Sequence, residues 1–326
     1  MAVQHKNKNT LFHRAAGGAF SAIAACTIKR GGIAFGASYD ENMVVCHSSA
    51  QTVEELAKFR SSKYVQSQLR DTFMRVKHEL DSGREVCFSG TPCQIVGLKN
   101  YLGKLYHNLI AVDLVCKGVG SPAVLACYVK EMESKYSSRI VGMNFKRKTY
   151  GYHSSTMSVD FENGKTYSKG GITDPMMRSF RANICLRPSC SECKFKGERR
   201  ISDLTIFDCW HYAELTGKAD NDRGHTNVLI HSKVGEDVLS RCEEFLDIVE
   251  IDPVQAIALD GVMVRNRVVA NPLRDKYFQE LFGGGLDVAI QATIPIQFQD
   301  KLKEVSKKYL YKAHLLDFAK KIGKRK

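Results

Sequence analysis

The chain has 326 residues, 44% of them hydrophobic and 25% charged, with a net charge of +13 and eleven cysteines. These proportions are those of an ordinary soluble globular protein with room for a large core, and no stretch reaches the ~18 apolar residues that span a bilayer. The cysteines are too irregularly placed for a disulfide-stapled domain, and no convincing export signal precedes them, so the reading is a cytoplasmic protein with thiolate ligands.

In chain order, residues 1–10 are polar and read as disordered. Ala15 to Lys29 reads as a helix with Gly17-Gly18 in its first turn. Ile23-Ala24-Ala25-Cys26 has the look of a lipoprotein cleavage box behind Lys6, Lys8 and Arg14. The glycines interrupt the apolar run, however, and a strand-like segment follows at once, which argues against export. Ile33 to Tyr39 and Met43 to His47 read as a strand pair. Thr52 to Phe59 begins with a Thr-x-x-Glu capping box, and Ser67 to Asp81 carries Leu69, Phe73, Val76 and Leu80 on one helical face.

Glu85 to Ser89 then reads as a strand, Gly90-Thr91-Pro92-Cys93 as a tight turn, Gln94 to Tyr101 as a helix and Leu109 to Cys116 as a strand. Strand, helix and strand in this order build parallel sheets, whose ligands sit at the carboxyl ends of strands. Cys93 and Cys116 both fall at such ends. Pro122 to Lys135 reads as a helix, Ile140 to Tyr167 as two or three antiparallel strands and Met176 to Asn183 as a helix. Further strands are expected at Leu204 to Trp210, Thr226 to His231 and Ala258 to Val262, with helices at Gly235 to Phe245, Asp275 to Leu281 and Phe298 to Ile322. The fold class is therefore α/β, a mixed sheet with flanking helices.

Cys190 and Cys193 form a C-x-x-C in a basic loop, which can grip one metal centre or form a redox disulfide. A metal centre needs two further ligands. Cys185-x4-Cys190-x2-Cys193 with Cys209 matches the start of a plant-type ferredoxin spacing. Cys93 and Cys116 with the C-x-x-C make a second set, and a structural zinc fits any four such thiolates. Spacing alone does not choose between them. Cys26, Cys46, Cys87, Cys127 and Cys242 lie within predicted helices or strands and read as small buried hydrophobes.

Six segments occur in an order that carries a resemblance. They are Gly17-Gly18-Ala19-Phe20-Ser21, Ser62-Lys63-Tyr64-Val65-Gln66-Ser67, Phe88-Ser89-Gly90-Thr91-Pro92-Cys93-Gln94, Val112 to Gly118, Leu186 to Lys196 and Ser202 to Trp210. From about Gly17 to Phe278 the chain resembles the beta-subunit family of coenzyme F-420 (deazaflavin) hydrogenases and dehydrogenases, which includes the plant hydroxymethyl-chlorophyll reductase. The resemblance implies a 4Fe-4S cluster on Cys93, Cys116, Cys190 and Cys193, beside a flavin that is FAD rather than FMN, both at strand ends. Cys185 then reads as a neighbour of the site. Lys194, Lys196, Arg187 and Arg199 would offset the cluster's charge.

For the flavin, Gly17 and Gly18 offer backbone N–H groups to a phosphate. Ser62, Lys63, Tyr64, Gln66 and Ser67 add a cation, a ring and polar contacts, Thr91 and Gln94 link cluster to flavin, and Lys148 resembles a recurring family lysine. Taken one at a time, a Gly-Gly is more often a turn device and a lone Lys or Tyr a surface residue. Two departures stand out: His13-Arg14-Ala15-Ala16 replaces the serines common before the Gly-Gly, and His211 stands where a glycine usually follows the Asp-x-Trp. Three parts are expected: 11–108 flavin-binding, 109–285 iron–sulfur and flavin, and 286–326 a basic helical tail.

Relatives often carry an N-terminal ferredoxin module, and nothing like it precedes Leu11. A separate ferredoxin-like or other redox partner is therefore expected to feed an organic acceptor, with homo-oligomers and no nucleic acid among the other expectations. From Lys301 on, ten Lys or Arg stand against Glu304 and Asp317, so the tail is suited to a membrane surface or an acidic protein. The contrasting reading is a zinc- or cluster-stabilised binding module without catalysis.

Overall fold

The computed structural model describes residues 1–8, 11, 15–313 and 315–316. In chain order its elements begin with β1 (Ala2–His5), α1 (Ala19–Lys29), β2 (Ile33–Tyr39), β3 (Val45–Ala50), α2 (Thr72–Asp81), β4 (Val86–Gly90), α3 (Pro92–Leu102) and β5 (Leu109–Leu114). There follow α4 (Pro122–Tyr136), β6 (Ile140–Arg147), β7 (Thr156–Phe161), β8 (Thr166–Gly170), α5 (Pro175–Arg181), β9 (Leu204–Cys209), α6 (Tyr212–Thr216) and β10 (His225–Ile230). The chain continues through α7 (Lys233–Arg241), β11 (Leu246–Val249), α8 (Pro253–Leu259), α9 (Val262–Arg265), α10 (Arg274–Gly284), α11 (Leu286–Thr293) and α12 (Phe298–Lys312). It divides into two compact units interleaved in sequence, Met1–Val119 with Arg187–Val268, and Gly120–Leu186 with Val269–Lys326. The boundaries expected at 108/109 and 285/286 do not coincide with this division.

The first unit is built on an eight-stranded mixed sheet in the order β11-β1-β10-β9-β5-β4-β2-β3. β2, β4, β5 and β9 run parallel, and the outer strands antiparallel. Period-two alternation sends residues to opposite faces. One face (Cys87, Ile110, Val112, Leu204, Val228) packs on α1 and α7, and the other (Ile33, Phe35, Phe88, Leu109, Ala111) on α2 and α3. The second unit holds the three-stranded antiparallel sheet β6-β7-β8 and its helices.

Two expectations are corrected. Residues 1–10 read as disordered from their composition, yet Ala2–His5 is a strand between β10 and β11, with Val3 wholly buried. A four-residue strand of two apolar residues followed by two polar ones has too little pattern to show; its pairing is non-local. Ala258 to Val262 is not a strand. Asp252 caps α8 by accepting from the Val254 N–H at 2.8 Å, and Pro253 occupies its first turn. The cap and proline outweigh the short apolar run. The Phe298 to Ile322 helix is seen to Lys312, and its end lies outside the described residues, as do His13 and Arg14.

Candidate functional site

The parallel register delivers the first two thiols. β4 ends at Gly90, opposite Asp113 of β5. A Cβ at Gly90 would press on the Phe88 and Gln94 side chains at 3.0–3.1 Å, so the turn is tight at this position. Thr91 and Gln94 then form a reciprocal capping box, with Gln94 Oε1 accepting from the Thr91 N–H at 2.9 Å. This fixes Cys93 in the first turn of α3, where unpaired helix N–H groups suit an anionic ligand, with Thr91 Oγ1 3.1 Å from its sulfur. Cys116 follows two residues beyond the end of β5.

The other two thiols arrive because the chain leaves and re-enters at one place. The Arg187 N–H donates to Val119 O at 2.9 Å, and the Val119 N–H donates to the Cys190 sulfur. Lys196 Nζ donates to the carbonyls of Cys116 and of Met263, which holds the loop against the strand end. Burial pushes the Cys116 thiol up to about 12; Lys196 draws it down, and the nearby Cys93, Cys190 and Cys193 push it further up. Burial likewise raises Cys190, with Cys193 and Cys93 adding to the effect. The structure thus gathers Cys93, Cys116, Cys190 and Cys193 at one corner of the first unit.

Among the described residues, no three His, Cys, Asp or Glu side chains close on a point tightly enough for a single metal ion. A polynuclear cluster holds its thiolates at its corners and asks for a wider ring than a lone ion. Burial and the neighbouring thiols resist ionisation of Cys116 and Cys190, a cost that the charge of a cationic iron centre reverses. The donor set fits a cluster. Cys209 does not join it: its sulfur is buried, pushed up first by desolvation and then by Asp260 and Asp220. Cys185 is buried in the second unit, beside Tyr277.

Between Cys193 and β9 the loop is pinned by a buried ion pair that the sequence does not announce. Arg200 Nη1 lies 3.5 Å from Asp113, with both side chains almost wholly buried. Asp113 also accepts from Thr205, whose hydroxyl is 2.8 Å from His231 Nε2. Desolvation raises Asp113, and Thr205 and Arg200 pull it back. The only signal is an aspartate inside an apolar strand, Val112-Asp113-Leu114. Beside the loop, Lys196, Gly197, Arg265, Asn266 and Arg267 line a basic cleft of about 590 Å3. His211 lies elsewhere in this unit, its Nδ1 2.7 Å from the buried Asp260 carboxylate.

The residues expected to hold the flavin are placed unevenly. Lys63 donates to the carbonyls of Lys58, Arg60 and Ser61 and lies 5.4 Å from the Tyr39 ring centre. Desolvation lowers its pKa to about 7, and no carboxylate among the described residues pairs with it. Ser67 lies 2.7 Å from His47 Nδ1, and His47 Nε2 3.0 Å from Ser89 O. A ring nitrogen facing a carbonyl must carry the proton, so Ser67 is the donor to Nδ1. Burial, with the Lys63 charge, lowers His47 to about 4 and keeps it neutral.

Through His47 and Ser89 the structure links Lys63 and Ser67 to the Thr91–Gln94 turn. Ser62, Tyr64 and Gln66 are half-buried in the same segment. Gly17 differs. Its N–H is already donated to Thr226 Oγ1 at 2.8 Å, and a Cβ there would lie 2.3 Å from Val3 O. Its need for glycine comes from packing on β1 and β10. Gly18 is left-handed (φ 87°) at the start of α1. Lys148 belongs to the second unit, buried, with Nζ 5.7 Å from the Tyr152 ring centre.

A family model for the C terminus of the coenzyme F-420 hydrogenase/dehydrogenase beta subunit matches residues 83–255, just over half the chain. The chain belongs to this family. Its setting is accordingly redox chemistry, and the matched segment contains all four gathered thiols. The fold agrees: a chain in the structure of the F-420-reducing nickel–iron hydrogenase complex from Methanosarcina barkeri is 17% identical, with a TM-score of 0.51 over 87% of this chain and 92% of that one. No curated protein matches. Among the described residues no helix is long and apolar enough to cross a membrane.

Proposed function

We propose that this family member is an iron–sulfur flavoprotein oxidoreductase that moves electrons from a ferredoxin-like donor to an organic acceptor, coenzyme F-420-like or other. The observation that most supports this is the gathering of Cys93, Cys116, Cys190 and Cys193 from three separate segments onto one corner. These thiolates would hold a 4Fe-4S cluster. The Val119 N–H, the Thr91 hydroxyl and Lys196 would supply the surrounding hydrogen bonds and positive charge. FAD would draw on Gly18, Ser62, Lys63, Tyr64, Gln66, Ser67, Thr91 and Gln94 of the first unit, with Gly17 shaping the turn.

When bound, a cluster would exchange electrons singly, and a flavin would collect two of them with a proton for delivery as a hydride. The chain's own contribution is charge and access. No carboxylate among the described residues pairs with Lys63, whose Nζ donates to three backbone carbonyls, and the basic cleft beside the cysteine loop favours an acidic donor or anionic acceptor. The Methanosarcina structure is of a hydrogenase complex; for the present chain a separate redox partner is the corresponding reading.

The test is a spectrum of anaerobically purified protein before and after dithionite, with iron, zinc and flavin assays. Bands near roughly 370 and 450 nm over a shoulder near about 400 nm, all bleaching, are expected. Cys93→Ser and Cys116→Ser should each lose the cluster, while Cys185→Ser keeps most of its iron. The opposite pattern would restore the local set of Cys185, Cys190, Cys193 and Cys209. A colourless protein with zinc would support the non-catalytic binding module instead, and a brown protein without flavin a degenerate member.

A further inference from the structure

Helix α12 docks with its polar side inward. At 3.6 residues per turn, Phe298, Leu302, Val305 and Tyr309 form one stripe, and Glu304, Lys307 and Tyr311 fall on the opposite side. That opposite side makes the contacts. The Glu304 carboxylate accepts from the Gly170 N–H at 2.9 Å and from the Thr173 hydroxyl at 3.0 Å. Tyr311 meets Tyr150 edge-on at 5.0 Å, and Lys307 lies 5.3 Å from the same ring's centre. The apolar stripe is left in solvent, with Phe298, Leu302, Val305 and Tyr309 exposed to 78%, 55%, 50% and 69%. No residue of the helix is buried.

A globular protein ordinarily turns such a stripe to its core, so an apolar face held outward by polar anchors signals a partner. The flanking charges indicate which. Lys301, Lys308 and Lys312 border the stripe on one edge, all exposed, while the helix's acids, Asp300 and Glu304, lie on the inner half. Beyond the helix the sequence adds Lys320, Lys321, Lys324, Arg325 and Lys326 against Asp317. An apolar stripe with an aromatic near each end and lysines along its border is the pattern of a helix lying in the interface of an anionic bilayer. An antiparallel second copy packing stripe to stripe would bring two lysine rows together, and nucleic acid has no use for the apolar face.

We infer that α12 is a membrane-surface anchor, with Phe298, Leu302, Val305 and Tyr309 inserted among the acyl chains of anionic lipid and the lysines on its headgroups. This does not depend on the cofactors proposed above. Its test is sedimentation of the full-length protein with vesicles of phosphatidylcholine, alone or with about a third phosphatidylglycerol. Binding to the anionic vesicles is expected, and Leu302→Gln with Val305→Gln should weaken it about tenfold or more. Both positions are exposed, so the variant's thermal unfolding should match the parent's. Three results would overturn the inference: no vesicle binding at low salt; binding unchanged in the double variant, leaving charge alone; or a dimer that the double variant dissociates while vesicle binding persists.

Discussion

Asp174 begins α5 as its N-cap, accepting from the Met177 N–H at 2.8 Å and from the hydroxyls of Tyr128 and Tyr167 at 2.9 and 3.0 Å. Desolvation nevertheless dominates and raises its pKa from 3.8 to about 6. The folded state therefore holds this proton more tightly than the unfolded one. The site's contribution is fully present below about pH 4 and is lost as pH rises towards about 6, a swing on the order of 3 kcal/mol. Asp174→Asn should remove that component. Denaturant midpoints for the two proteins, measured between pH 4 and pH 7, should give a difference that changes with pH in this window and is flat above it. A constant difference would mean that Asp174 titrates as it does in the unfolded chain. The same contrast between local and distant signals governs what the sequence makes legible at the site. The Gly-Thr-Pro-Cys-Gln turn can be read because its cap, proline and cysteine are adjacent. The Arg200–Asp113–Thr205–His231 chain cannot, because its members come from different segments and meet only when β5, β9 and the loop are in place.

At the scale of elements, β1 and α1 show packing rather than propensity choosing the residue. The Gly17 N–H binds Thr226, the His5 N–H binds Gly17 O at 2.8 Å, and Val3 O and Thr226 N leave no space for a Cβ. Gly17→Ala must push β1 or β10 aside and should cost about 1–3 kcal/mol, seen as a lower urea midpoint with faster amide exchange in β1. Gly83→Ala is the useful comparison: its φ is +85° with open space around it, so it should cost about 1 kcal/mol from backbone conformation alone. If Gly17→Ala unfolded like the parent but released flavin, the glycine would serve the cofactor instead. The long periodic helices and the strand–turn–helix at Cys93 are readable for the reason that β1 is not. Their apolar pattern is long enough to specify them without knowledge of the partner strands.

At the scale of the whole molecule, the first unit's continuity is interrupted at a point that is nearly closed. Val119 and Arg187 are hydrogen-bonded N to O at 2.9 Å. Just beyond, Gly120 pairs antiparallel with Leu186, and the Ser121 N–H donates to Cys185 O at 2.8 Å. Such a pair is geometrically the base of a hairpin, which a short Asn-Gly turn can close. A chain of 1–119, Asn-Gly and 187–268 would keep the eight-stranded sheet, both of its packed faces and all four gathered thiols. It should unfold in one cooperative transition and bind iron on anaerobic reconstitution, while losing whatever Lys148 contributes. Iron per chain and the steepness of the urea transition test the two halves of this expectation separately. A folded but iron-free product would show that the cysteine corner draws on the second unit. An unfolded product would show that the sheet cannot stand without it. Only the unfolded product would make the interleaving a requirement of the fold rather than an insertion at a strand end, where parallel sheets tolerate long excursions because the strand order beneath is unaffected.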